Sequence, residues 1–323
     1  MTRRFALPVL LIVAGAALFA QAPSAPPAKP AAQAADPAAA IIAAHKKADD
    51  EYLKATMSPF TAVAVRYVDP RRTARLGVGP AGAAFDPDAS ATVAADFTLD
   101  GGAFWVAPVA GAKPPVLLKK APGGNVEPGP GTPVTAKTKL GDKDIVGLGR
   151  FLAEALAQPG SGNVRVFDPD ADAKKHFTGL KWYPPYLAMR VEAEFVANPA
   201  PPKVIVATSR GLQKEYYRAG TLAFTLDGQP QRLTVLSLTP TPEPGSELFV
   251  AFRDKTTGTE TYEVGRYLFP KAAAAGAPQP LDFNQATNPL CNYSPHYNCP
   301  IPPKENVLTV PVRAGEKTYH VKH

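Results

Sequence analysis

Cys291 and Cys299 are the two cysteines of the chain, and they lie close together near its C-terminus. In an oxidising compartment they favour a disulfide, and closing a loop of this length would contribute about 2.5 kcal/mol by the chain-entropy estimate. A zinc site is the alternative, with His296 and Asp282 beside the two thiolates, although this spacing matches no common zinc pattern. A nucleophilic cysteine would need a nearby base, and His296 is the one histidine in the region. We predict a disulfide, no metal and no cofactor.

Arg253, Asp254, Tyr262 and Arg266 could form an anion site or could brace a turn. Arg253 and Arg266 could act as a fork for a carboxylate or phosphate, because guanidinium groups bind these anions bidentately. Tyr262 and Arg266 share one face of a predicted strand, where they could make a stacking or anion contact. Asp254 could instead accept hydrogen bonds from the amides of the turn that follows it, which is a structural role.

Asp282 and Asn284 are two residues apart, so in an extended chain their side chains face the same side. A carboxylate beside an amide can bind a cation or a polar ligand. The same two groups can equally satisfy the backbone of the irregular loop that follows. We predict that any ligand contacts one surface made by Tyr262, Arg266, Asp282 and Asn284. A buried pair between Arg266 and Asp282 is the structural alternative.

Several short phrases in the C-terminal region occur together in a characteristic order. They are FRDKTTG at 252–258, TY at 261–262, GRY at 265–267, LDFN at 281–284, NPLC at 288–291 and CPIPP at 299–303. The run over 248–316 resembles the signature of a bacterial and archaeal family known as domain of unknown function 1684. A weaker resemblance extends back to Phe177. This resemblance names a family and implies no activity.

The segment before the signature resembles the small β domain that precedes it in the family, which is itself similar to forkhead-associated sandwiches. Phosphopeptide binding by such sandwiches needs a Gly-Arg turn and a Ser-x-x-His loop. Gly149 and Arg150 are present but lie at the wrong end of the segment, and Ser-x-x-His is missing. Phosphopeptide binding is therefore not expected.

The candidate site residues are expected on short strands and the turns between them. The chain has 37 prolines and 25 glycines, which favour turns over long helices. The predicted fold is mainly β. It has an N-terminal helix over 38–58 and two antiparallel sandwich- or barrel-like domains over 62–168 and 169–323. A strong hairpin signal lies at 226–229. The segment 144–156 fits a helix by composition and fits a turn and strand equally well.

The N-terminal helix has recognisable start signals. Asp36 is the predicted N-cap, and Pro37 occupies the first helical position. The apolar side of the helix is ragged, and His45 is expected on its exposed side.

The first residues have the pattern of an export signal. Arg3 and Arg4 precede an apolar run over 5–19 that is too short to span a bilayer comfortably, and small residues follow it. We predict a signal peptide over 1–22 and an Ala/Pro-rich tether over 23–37. The mature protein is expected to be periplasmic or secreted, without a membrane span. A retained single anchor helix is the alternative.

Composition and motifs leave two functions open. The net charge of +7 is mild and no basic stripe is interleaved with aromatics, so nucleic-acid binding is not expected. No Gly-x-Ser-x-Gly, His-Glu-x-x-His or phosphate-binding glycine loop appears. We predict a non-catalytic envelope protein with a ligand or partner surface around the signature. The alternative is an enzyme acting on a small polar or anionic substrate, which would need titratable groups converging on one pocket of the C-terminal domain.

Overall fold

Antiparallel β-sheet dominates the chain, which confirms the predicted mainly-β class. The computed structural model describes residues 36–158 and 160–319. The predicted signal peptide and nearly all of the predicted tether lie outside these described residues. Within the described ranges we find no helix with the length and apolar character that crossing a membrane requires.

Helix α1 (Pro37–Lys54) begins as its sequence predicts. The Asp36 side chain accepts a hydrogen bond from the amide of Ala38 (3.0 Å), and Pro37 opens the first turn. The helix ends at Lys54, before the predicted bound at 58, because Ala55 is already extended with φ −63° and ψ 132°.

Polar side chains of α1 attach it to the C-terminal half of the molecule. His45 is buried, so the prediction that it is exposed is wrong: its ring stacks on Trp182 at 3.9 Å and its Nε2 hydrogen-bonds to the carbonyl of Asn284 (2.8 Å). Asp49 accepts hydrogen bonds from the amide of Leu180 (3.1 Å) and from Trp182 Nε1 (3.3 Å). Apolar periodicity misses such a contact because the buried face carries polar groups that find partners.

The N-terminal half is built from two antiparallel sheets. Its strands are β1 (Ala62–Val68), β2 (Thr73–Gly79), β3 (Gly82–Phe85), β4 (Val93–Asp100), β5 (Ala103–Pro108), β6 (Val116–Ala121), β7 (Asn125–Val126), β8 (Thr132–Pro133), β9 (Thr138–Lys139), β10 (Asp144–Leu148), β11 (Phe151–Gln158) and β12 (Ser161–Phe167). One sheet has the order β1-β12-β11-β10-β6-β7, with β8 beside β6, and the other has the order β3-β2-β4-β5-β9. Leu76, Phe97, Val106, Val146 and Val166 are completely buried in the core that these strands share.

The ambiguous segment 144–156 forms the hairpin of β10 and β11, in which Val146 pairs with Ala153. Both faces of this hairpin are buried. Val146 and Ala153 belong to the core of the N-terminal half, whereas Ile145 and Leu152 face a second cluster. A strand buried on both faces shows no polar alternation, which is why its composition resembles that of a helix.

The C-terminal half has more irregular structure. Its elements are α2 (Asp172–Lys175), β13 (Arg190–Ala197), β14 (Lys203–Ala207), β15 (Gln213–Leu226), β16 (Gln229–Ser237), β17 (Val250–Phe252), β18 (Arg266–Leu268) and β19 (Gln279–Asp282). The main sheet has the order β14-β15-β13-β19, with β16 beside β15, and β17 pairs with β18 separately. The predicted hairpin is present: Leu226 pairs with Gln229, and Asp227 (φ 50°) and Gly228 (φ 70°) form the two-residue turn.

The two halves share a hydrophobic cluster and form one compact unit that begins at Asp36. Ile145, Leu152 and Phe167 of the N-terminal half pack in this cluster with Phe249 and Tyr267 of the C-terminal half. The N-terminal and C-terminal halves therefore have a common interface.

Candidate functional site

Arg266 is the most constrained of the predicted ligand-binding residues. Its side chain is 1% exposed, and its guanidinium donates to Asp254 Oδ2 (2.9 Å) and to the carbonyls of Val312 (2.7 Å) and Ala314 (2.5 Å). The other oxygen of Asp254 accepts from the amide (2.7 Å) and the hydroxyl (2.6 Å) of Thr256. Arg266 therefore ties β18 to the C-terminal segment, and Asp254 braces the turn after β17.

Arg253 does not join Arg266 in a fork. Arg253 is half-buried, and its Nε donates to the carbonyl of Val264 (3.2 Å). The fork would need both guanidinium groups to face one ligand, and Arg266 is already fully hydrogen-bonded on its two terminal nitrogens.

Asp282 and Asn284 brace the chain around the end of β19. Asn284 is fully buried, accepts from the amide of Tyr186 (2.8 Å) and donates to its carbonyl (3.0 Å). Asp282 accepts from the amide (3.0 Å) and the side chain (2.8 Å) of Asn284 and pairs with Arg190 at 3.3 Å. Asp282 is therefore not the partner of Arg266. These contacts are the loop-bracing role that the sequence left open.

The predicted disulfide between Cys291 and Cys299 is not confirmed. Both cysteines are free thiols that are not at disulfide distance. The amide of Cys291 donates to Cys299 Sγ (3.2 Å), whereas the amide of Cys299 donates to Ser209 Oγ (3.1 Å). The sulfur of Cys299 is therefore held against Cys291.

This contact changes the acidity of both thiols. The hydrogen bond from Cys299 lowers the pKa of Cys291 to about 7, and the hydroxyl of Tyr262, which lies 3.6 Å from the Cys291 sulfur, acts in the same direction. The same thiol contact, together with burial, raises the pKa of Cys299 well above its usual value. Cys291 is thus the more nucleophilic member of the pair at neutral pH.

The alternative zinc ligands are not brought together. In the part of the chain that the structure describes, no three His, Cys, Asp or Glu side chains are placed to hold a metal ion. Asp282 pairs with Arg190, and the main-chain carbonyl of His296 accepts a hydrogen bond from Arg165 Nε (3.4 Å).

A cleft of about 690 Å³ opens beside the cysteine pair. This volume falls within the range of roughly 300–1,000 Å³ that is typical of small-molecule sites. Two cationic side chains, Arg165 of β12 and Lys214 of β15, line it together with Tyr216, Tyr267 and Tyr297. We call this cavity the Lys214 cleft. Its walls come from both halves of the molecule, and several of them belong to the signature region.

The two cations of the cleft differ in how their charges are balanced. Arg165 stacks over Tyr297 at 4.1 Å and lies 3.8 Å from Glu154, which also pairs with Lys120. Lys214 is half-buried and makes no ion pair or hydrogen bond with any residue that the structure describes. Burial lowers the pKa of Lys214, and repulsion from Arg165 also lowers it. An anion in the cleft would relieve that repulsion.

Arg165 and Lys214 were not identified as site residues from the sequence. Arg165 is a charged residue between Val164 and Val166 in the apolar end of β12, which is a signal that could have marked it. Nothing in the sequence around Lys214 distinguishes it from the other lysines of the chain. Only the packing of the two halves brings these residues together.

The family comparison concerns the C-terminal half. Residues 175–317 match the family model described as Protein of unknown function (DUF1684). The solution NMR structure of an uncharacterized protein of Haloarcula marismortui is 37% identical, over 46% of this chain and 80% of that one, with a TM-score of 0.39. No curated protein matches the chain.

The matched residues include the whole signature predicted over 248–316. They therefore confirm the family that those phrases suggested, and they contain most of the walls of the Lys214 cleft. The C-terminal region of this chain, residues 175–317, belongs to the DUF1684 family.

Proposed function

We propose that this protein is a non-catalytic binding module that holds a small anionic molecule in the Lys214 cleft. The observation that carries the proposal is the half-buried Lys214, which lines the same cleft as Arg165 and has no counter-ion among the described residues. Two cations in a partly desolvated cavity repel each other more strongly than they would in water. An anion bound between them is attracted more strongly for the same reason.

Binding fits the geometry better than catalysis does. The polar residues Arg253, Asp254, Arg266, Asp282 and Asn284 are engaged in hydrogen bonds or ion pairs that brace the fold. A catalytic site would need such groups to converge on the cavity where the substrate sits.

The titratable groups of the cleft itself also favour binding. Glu247 is the carboxylate among the described cleft residues, and it pairs with Lys271 at 3.3 Å. Cys299 lines the cleft, but its raised pKa keeps it in the weakly nucleophilic thiol form.

Titration calorimetry with a panel of small anions (inorganic phosphate, acetate, benzoate and decanoate) tests the proposal. At least one member should bind the wild type, and Lys214→Gln should weaken that binding by at least about tenfold, which corresponds to about 1.4 kcal/mol. Lys203→Gln is the matched control, because Lys203 is an exposed lysine of the same sheet that pairs with Glu215. A panel without any binder, or equal losses in the two variants, would contradict the proposal.

We also propose that the mature protein acts in the cell envelope, in the periplasm or after secretion. The support is the N-terminal pattern of Arg3 and Arg4 before a short apolar run and an Ala/Pro-rich stretch. Intact-mass measurement of protein from the envelope fraction should show cleavage near residues 20–25. A full-length chain in the cytoplasm would contradict this location.

A further inference from the structure

We infer that the ligand of the Lys214 cleft is an amphiphilic organic anion, with an anionic head at Lys214 and Arg165 and an apolar tail along a row of aromatic rings. This inference rests on the proposed anion-binding function, and it adds the chemical class of the ligand.

The head site and the aromatic row begin on the same strand. Lys214 and Tyr216 are two residues apart in β15, and both line the cleft, as alternate residues on one face of a strand do. Arg165 reaches the same cavity from β12 of the other half. The cationic end of the cleft is therefore continuous with a wall that starts at Tyr216.

Three aromatic rings in succession form this wall. Tyr216 stacks on Phe249 with ring centroids 5.4 Å apart, and Phe249 stacks on Phe269 with centroids 5.5 Å apart. The interplanar angles are 29° and 22°, so the rings are close to parallel. All three line the cleft. We call Tyr216, Phe249 and Phe269 the aromatic row.

The outer end of the row is uncovered. Phe269 is 46% exposed, and Leu238, which also lines the cleft, is 79% exposed. Phe249, by contrast, is 8% exposed and belongs to the cluster shared by the two halves. Apolar side chains that are left open beside a cavity mark a binding surface when they adjoin polar groups that can orient a ligand. Here the adjoining groups are Lys214 and Arg165.

Charge and shape together select the occupant. An inorganic anion would satisfy Lys214 but would leave Phe269 and Leu238 in water. An apolar molecule without charge would cover the row but would bury Lys214 without a partner, which is unfavourable. A carboxylate with an alkyl tail satisfies both ends of the cleft.

Calorimetric titrations with acetate, hexanoate and decanoate test this inference at a constant head group. Burial of each methylene should improve the affinity about fourfold, so decanoate should bind at least a hundredfold more tightly than hexanoate. Decyltrimethylammonium carries the same tail with a cationic head and should not bind. An affinity that does not depend on tail length would overturn the inference and leave the proposed anion site intact. If neither the carboxylates nor phosphate binds, both this inference and the proposed anion-binding function are wrong.

Variants of exposed residues show whether the tail follows the aromatic row. Phe269→Ser should weaken decanoate about tenfold and leave acetate unchanged. Val307→Ser is the matched control, because Val307 is an apolar residue that is 51% exposed and lies outside the cleft lining. Both positions are open to solvent, so neither change should prevent folding. Equal affinities of Phe269→Ser and the wild type for decanoate would overturn the inference.

Discussion

Replacing Arg266 by alanine should remove a large part of the stability of the protein. Arg266 and Asp254 form an ion pair at 2.9 Å in which both side chains are 1% exposed. Removing one partner of a buried pair costs roughly 3–5 kcal/mol, because the other charge stays buried without compensation. The carbonyls of Val312 and Ala314 would also lose their donor. Against a typical total stability of roughly 5–15 kcal/mol, this loss is severe.

Urea unfolding of the wild type and two variants measures this effect. Arg266→Ala should lower the free energy of unfolding by at least about 4 kcal/mol or prevent folding. Arg253→Ala is the matched control, because half-buried Arg253 makes one hydrogen bond to Val264, and its loss should cost about 1 kcal/mol or less. If Arg266→Ala stays within about 1 kcal/mol of the wild type, the bracing role of Arg266 is wrong and a ligand role for it is open again.

Two further predictions concern buried ionisable groups. Burial raises the pKa of Glu316 from 4.5 to about 7. The folded state therefore favours the protonated carboxyl, and the stability that this gives is fully present below pH 4.5 and is lost as the pH rises through about 7. The free energy of unfolding should fall by about 3 kcal/mol over this range. Urea unfolding at a series of pH values should show a smaller decline in the free energy of unfolding for Glu316→Gln than for the wild type. An equal decline in the two proteins would refute this assignment to Glu316. Alkylation of Cys291 by iodoacetamide should follow a midpoint near pH 7, and Tyr262→Phe should move that midpoint upward. A wild-type midpoint near the usual thiol value of about 8.5 would count against the thiol contact.

Local signals in the sequence were sufficient to predict the positions of several elements. Asp36 and Pro37 placed the start of α1, because capping depends only on neighbouring backbone groups. The turn at Asp227 and Gly228 placed the β15–β16 hairpin, because both residues tolerate positive φ. Features of this kind are decided within a few residues, so a single sequence can reveal them.

Features that depend on the packing of distant segments could not be foreseen. His45 is buried by Trp182 and Asn284, which lie far away in the chain. Arg165 and Lys214 come from different halves and meet only because those halves share a cluster of buried side chains. The signature phrases drew attention to Arg266 and Asp282, whereas the accessible cations lie on strands with no motif of their own.

A crystal structure of the protein grown with decanoate is the most direct test of the central claim. We expect the carboxylate within hydrogen-bonding distance of Lys214 Nζ and the alkyl tail against Phe249 and Phe269. Decanoate bound elsewhere, or bound in the cleft with its carboxylate turned away from Lys214, would contradict the assignment of this cleft as an anion-binding site.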